Sequence, residues 1–201
     1  MRKEIISEWI YEFGISDELL ETTLSIVDDL AYENNSRHAD QSEDRFLHLR
    51  PELSGLFEWF HSCLNEAGTD LGLRRSEFKI VMSWANKSSI GNGHHPHTHP
   101  NSWISGILYL TNSNSSTHFS KPTIWADMST SDVLLPMNFS HNFYQNRTEK
   151  GKLILFPSSL LHCVNPHQLE SDRKTLSFDA VPWGITGDPE SLSWIDLSKL
   201  G

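Results

Sequence analysis

His94-His95-Pro96-His97-Thr98-His99-Pro100-Asn101-Ser102-Trp103-Ile104-Ser105-Gly106-Ile107-Leu108-Tyr109-Leu110 is the stretch from which the fold is read. Two short segments of strand character, His95 to His99 and Trp103 to Leu110, are separated by Pro100, Asn101 and Ser102. This punctuation recurs from Glu77 onward, where Gly, Pro, Asn and Ser divide the chain into brief runs without helical patterns between them. Such spacing belongs to an all-β sandwich or barrel rather than to a βαβ fold. Further strands are expected at about Phe78 to Asn86, Lys121 to Ala126, Lys152 to Phe156, Leu160 to Val164 and Lys174 to Val181. Thr111 to Thr117 reads as an exposed polar connection. Ser129 to Lys150 lacks a clean period and is expected to hold one more strand and a loop.

Upstream the pattern is helical. Ile5, Ile6, Trp9, Ile10 and Phe13 recur at helix spacing, as do Leu19, Leu20, Leu24, Val27 and Leu30, with Ser16 placed to cap the second group. Pro51 can open a further helix carrying Leu53, Leu56, Phe57, Phe60 and Leu64, which Gly68 or Gly72 can end. The reading is mainly β with N-terminal helices, a helical layer packed on a jelly roll. It forms a single domain over 1–201, with the helical layer at 1–76, the β core at 77–183 and a C-terminal tail at 184–201.

Composition narrows the partners. Sixteen Lys plus Arg against twenty-six Asp plus Glu give a formal charge of −10, so nucleic acid is disfavoured. Charged residues interrupt the first thirteen positions and no apolar run is long enough to span a bilayer, so neither a secretory signal nor a membrane is expected. Cys63 and Cys163 stand far apart, without the spacing of a disulfide framework or a thiolate zinc site. A cytoplasmic setting follows as the expectation.

Eleven histidines are present, and His94, His95, His97 and His99 crowd into one internal segment. In a strand, alternate side chains share a face, so His97 and His99 can offer two imidazoles to one point. His162, beyond the turn at Pro157-Ser158-Ser159, supplies a third. Three nitrogens with open positions opposite suit iron(II), zinc or copper. His94, His95 and His167 are possible substitutes.

Arg173 opens a strand in which Arg173, Thr175, Ser177 and Asp179 alternate with Lys174, Leu176 and Phe178. A guanidinium on a polar interior face can grip a carboxylate through two parallel hydrogen bonds, with a hydroxyl two residues on adding a third. The ordinary alternative is an arginine at a solvent-exposed strand start.

Pro96 to Leu110, then Leu155-Phe156-Pro157-Ser158 with His162, then Asp172 to Phe178, together resemble a family of 2-oxoglutarate/iron(II) oxygenases. That family's pattern runs H-x-H-P, S-G-x-x-Y, F-P-S with a following His, and R-x-S-x-S-F. The resemblance covers roughly Val81 to Val181. It implies a double-stranded β-helix, Fe(II) at His97, His99 and His162, and 2-oxoglutarate held through its distal carboxylate by Arg173, with Thr175 and Ser177 adding hydroxyls. Thr175 stands where the family often has Ser. Tyr109 could hydrogen-bond the same carboxylate, although an aromatic there is ordinarily core; Trp84 and Asn86 are weaker candidates. The wider superfamily usually carries Asp or Glu where this chain has His99. The neutral ligand leaves the metal one more positive charge and favours an anionic co-substrate.

The implied reaction is hydroxylation of a small-molecule or peptide substrate with release of succinate and CO2, under a covering loop at Ser129 to Lys150. Two other classes fit parts of the pattern. One is a cupin-like metal enzyme that does not use 2-oxoglutarate, in which Arg173 has no task. The other is a binding or structural protein that keeps a metal only to tie strands together.

Overall fold

The computed structural model describes residues 8–34, 39–73, 77–120, 143–188, 190 and 193–199. In chain order these form β1 (Tyr11–Gly14), α1 (Asp17–Asp28), β2 (Tyr32–Glu33), β3 (Asp40–Ser42), α2 (Ser54–Asp70), β4 (Phe78–Ser88), β5 (His94–His97) and β6 (Ile104–Tyr109). They continue with β7 (Ser116–Ser120), β8 (Phe143–Arg147), β9 (Lys152–Pro157), β10 (Leu161–Val164), β11 (Arg173–Pro182), β12 (Ile185–Asp188) and β13 (Ser193–Asp196). A seven-stranded sheet in the order β1-β9-β6-β11-β4-β3-β2 faces a four-stranded sheet in the order β5-β10-β7-β8, and the β12-β13 hairpin stands apart. All these strand pairs are antiparallel, and the two sheets make the expected jelly roll.

Strand alternation sorts the side chains of the large sheet into two sets. Leu108, Leu153, Leu155, Leu176, Phe178 and Ala180 face outward onto α1 and α2, where Leu20, Val27, Phe57, Phe60 and Leu64 complete the main core. Ile107, Tyr109, Ile154 and Phe156 face the interior between the sheets and pack with Phe119 and Leu160. Burying each large apolar side chain contributes about 1.5–3 kcal/mol, so the helical layer holds the sheet rigid beneath the interior.

Gly106 lies opposite Phe178 across the β6–β11 ladder, and a Cβ there would stand 2.3 Å from the Phe178 ring. Without one, that ring crosses the space and meets Phe60 with centroids 4.6 Å apart.

The helices form as their sequences dictate. Ser16 caps α1, its Oγ accepting from Leu19 N at 3.4 Å, with Asp17 and Glu18 in the first turn. Pro51 starts a 3-10 turn that runs into α2, and Gly72, at φ +73, closes its end.

Several expectations need correction. The helix read across Ile5 to Phe13 is overturned in its described part, where Tyr11–Gly14 is an edge strand paired with β9. Trp9, Tyr11 and Phe13 alternate toward the main core while Ile10 turns to the interior cluster, a period of two that the aromatic spacing also permits. Thr111 to Thr117 is not an exposed connection throughout. Ser115, Ser116 and Thr117 are buried and β7 begins at Ser116, their polar groups met by bonds such as Ser116 N to Asn165 Oδ1 at 2.6 Å. The N-terminal part also supplies three strands of the large sheet, and the tail forms the β12-β13 hairpin. The strand read at Lys121 to Ala126 and positions 129–142 of the expected covering loop lie outside the described residues. The remainder of that loop includes β8, paired with β7.

Candidate metal centre

The β5–β10 ladder sets His97 directly opposite His162, and their ring centroids lie 4.3 Å apart. The strand expected to run through His99 ends at His97. His99 sits in the following turn, anchored by its backbone N–H to Ser158 O at 2.8 Å. Pro100, which cannot donate to a ladder, follows at once. The turn still brings His99 to the same point, with ring centroids 5.3 Å from His97 and 5.2 Å from His162. One ligating nitrogen from each of the three rings lies within 4.8 Å of the others.

Each ring is oriented by a partner at Nδ1. His97 donates to His95 O at 2.7 Å and His162 to Leu160 O at 2.9 Å, while His99 meets the Asp179 carboxylate at 2.8 and 3.0 Å. A carbonyl can only accept, so in His97 and His162 Nδ1 carries the proton and the lone pair of the neutral ring falls on Nε2. Burial, then the nearby His97, push the pKa of His162 down to about 3, so its imidazole stays neutral. His99 Nε2 is buried and has no hydrogen-bond partner among the described residues. Oriented imidazoles with converging nitrogens fit a divalent transition metal such as iron(II).

The same cavity is walled by β11. Arg173 is 2% exposed, and no carboxylate pairs with it among the described residues. Its contacts are the Tyr109 ring, 5.5 Å from the guanidinium carbon, and a long bond from Nε to Thr148 Oγ1 at 3.5 Å. Burial lowers its pKa from the ordinary value, with Tyr109 opposing. A buried guanidinium without an anion is costly, and an anionic ligand would meet that cost. The solvent-exposed alternative for Arg173 is thereby overturned.

Thr175 and Ser177 line the cavity beside Arg173, and Asn86 Nδ2 donates to their hydroxyls at 3.3 and 3.2 Å. Gln41, to which sequence reasoning assigned no role, donates in turn from Nε2 to Asn86 Oδ1 at 3.2 Å. Trp84 stacks on His99 with centroids 5.8 Å apart. Tyr109 is fully buried, its hydroxyl bonded to Thr117 Oγ1 at 2.8 Å, and burial pushes its phenol up to about 12.

The substitute histidines lie elsewhere. His94 lines the cavity but is not among the three, His95 is exposed, and His167 is bound by Ser113 and the Ser171 carbonyl. Asp179, the partner of His99 Nδ1, is a contact that sequence reasoning passed over. Alternation with Arg173 already put it on the interior face, but nothing in the sequence showed its partner to be His99.

Residues 82–179 match the model of a family described as "Putative 2OG-Fe(II) oxygenase". Sequence comparison with curated proteins gives no match. Among solved structures, HygX from Streptomyces hygroscopicus, with nickel and 2-oxoglutarate bound, aligns with a TM-score of 0.65 at 11% identity over 94% of this chain and 92% of that one. A prolyl-4-hydroxylase from Pseudomonas putida aligns with a TM-score of 0.61 at 12% identity, covering 89% and 95%. The viral collagen prolyl hydroxylase of Paramecium Bursaria Chlorella virus-1, a 2OG complex, gives 0.56 at 10% identity over 85% and 94%. Residues 82–179 thus match a 2OG-Fe(II) oxygenase domain, and the chain fits the class of iron(II)- and 2-oxoglutarate-dependent dioxygenases.

Proposed function

We propose that His97, His99 and His162 hold Fe(II), and that Arg173, with Thr175 and Ser177, holds the distal carboxylate of 2-oxoglutarate, in an enzyme that hydroxylates a small-molecule or peptide substrate. The observation that carries this reading is the pairing, in one cavity, of three converging imidazoles with a buried guanidinium that has no carboxylate partner among the described residues. When bound, the iron supplies the chemistry by which O2 and 2-oxoglutarate give succinate and CO2, one oxygen atom entering a substrate C–H bond.

The chain's own part is placement. The partners at Nδ1 fix three ring orientations before any ligand arrives. Arg173 orients the co-substrate through a charge-assisted pair in a site sheltered from solvent, with Tyr109 packed against it. Asn86 holds the Thr175 and Ser177 hydroxyls in a fixed pattern beside the guanidinium. Ile107 and Phe156 line the cavity with apolar surface, which limits water around the reacting groups. No described helix is long and apolar enough to cross a membrane. The free thiols of Cys63 and Cys163 support a cytoplasmic setting.

The test follows succinate formed from 2-oxoglutarate by the Fe(II)-loaded protein with ascorbate, using zinc-loaded protein, His97→Ala and Arg173→Ala as controls. Slow succinate release in the iron form alone is expected. Binding of 2-oxoglutarate without succinate would sink the oxygenase reading, and neither binding nor turnover would favour the cupin-like or structural alternatives.

A further inference from the structure

We propose that Asp179 is a positioning residue of the metal centre, fixing the ring of His99 and placing a carboxylate charge directly behind that one ligand. The proposal rests on the metal-binding reading of the three histidines. Its starting point is an asymmetry among them. His97 and His162 each donate from Nδ1 to the main-chain carbonyl two residues earlier, a neutral acceptor that comes with the local backbone. At His99 the acceptor at Nδ1 is instead a side chain from a distant strand, with both oxygens of Asp179 within 3.0 Å of that nitrogen.

Asp179 is itself held in place. It is 9% exposed, and no Lys or Arg forms an ion pair with it among the described residues. Ser105 Oγ donates to its Oδ1 at 2.7 Å, Ser158 Oγ lies 2.9 Å from Ser105 Oγ, and Ser102 Oγ donates to Ser158 Oγ at 2.8 Å. Ser105 and Ser158 are fully buried, so this hydroxyl chain runs through the interior and leaves the carboxylate little freedom.

The pair is also unfinished on one side. Asp179 occupies Nδ1, while Nε2 of the same ring is buried with no partner among the described residues. A cation on Nε2 would complete a carboxylate–imidazole–metal line, in which the carboxylate fixes the tautomer and raises the basicity of the ligand. His99 needs such help more than the other two, because it lies past the end of β5 and has no ladder partner to orient it.

The experiment titrates metal-depleted protein with Co(II), reading both the dissociation constant and the visible ligand-field bands, for the wild type, Asp179→Asn, Asp179→Ala and Ser105→Ala. Thermal melting of each metal-free variant reports its folding. Asp179→Ala is expected to weaken Co(II) about 10- to 100-fold and to shift the bands. Asp179→Asn, whose amide oxygen can still accept from Nδ1, should fall between, and Ser105→Ala should show a smaller loss in the same direction. Wild-type affinity and unshifted bands in the near-isosteric Asp179→Asn variant would overturn the charge role and with it the proposal. A wild-type protein that takes up no Co(II) would overturn the metal-centre reading itself, and this inference with it.

Discussion

Replacing Arg173 by Met separates a residue that serves the fold from one that serves a ligand. The substitution keeps an unbranched side chain of similar reach and removes the charge. The guanidinium is 2% exposed, and among the described residues the Tyr109 ring at 5.5 Å and a 3.5 Å bond to Thr148 Oγ1 offset its lost hydration. A desolvated cation–π contact contributes about 2 kcal/mol, whereas burying an ion costs several kcal/mol even after relaxation. The burial term is the larger, so Arg173→Met should leave the metal-bound, co-substrate-free protein with an unchanged or higher Tm. Binding of 2-oxoglutarate should move the other way. Loss of a charge-assisted hydrogen bond costs about 1.5–3 kcal/mol, which weakens binding roughly 10- to 150-fold. Calorimetry on Mn(II)-substituted protein measures the affinity without turnover, and melting curves with and without 2-oxoglutarate measure stability. At a hundredfold excess over Kd the ligand should stabilise the wild type by about 2.7 kcal/mol, and at that concentration the variant should gain much less. A variant that melts far lower yet binds 2-oxoglutarate as tightly as the wild type would refute the reasoning and make Arg173 a structural residue.

Two further outcomes follow from the packing and from the buried imidazole. Gly106→Ala would drive a methyl group to within 2.3 Å of the Phe178 ring and push it from Phe60. Overpacking of this kind costs about 1–3 kcal/mol, and a urea midpoint unchanged from the wild type would show that Phe178 can move at no cost. In metal-free protein, the folded pKa of His162, about 3, lies below the roughly 6.5 of an unfolded histidine. The unfolded chain therefore binds the extra proton between these values, and stability present above about pH 6.5 is lost as pH falls toward 3. Urea midpoints at pH 7 and pH 5 should differ more in the wild type than in His162→Gln, and equal slopes would contradict the assignment.

The sequence by itself determined much of the jelly roll and the identity of its chemical groups. Gly, Pro and Asn between short apolar runs mark strand ends, and period-two alternation alone set Arg173, Thr175, Ser177 and Asp179 on one face of β11. The H-x-H pattern with a later His offered three candidate ligands, and the fold brings those three to one point. The spacing of Trp9, Ile10 and Phe13 suits a helix as well as a strand, and only the open edge of β9 decided for the strand. The burial of Arg173 was likewise beyond local pattern, since whether a strand start meets solvent depends on what the opposite sheet covers. Tertiary structure also made the partnership of His99 with Asp179, residues eighty positions apart. Periodicity reports which face a side chain takes, but a contact across two sheets exists only once loops have closed and both faces are packed together.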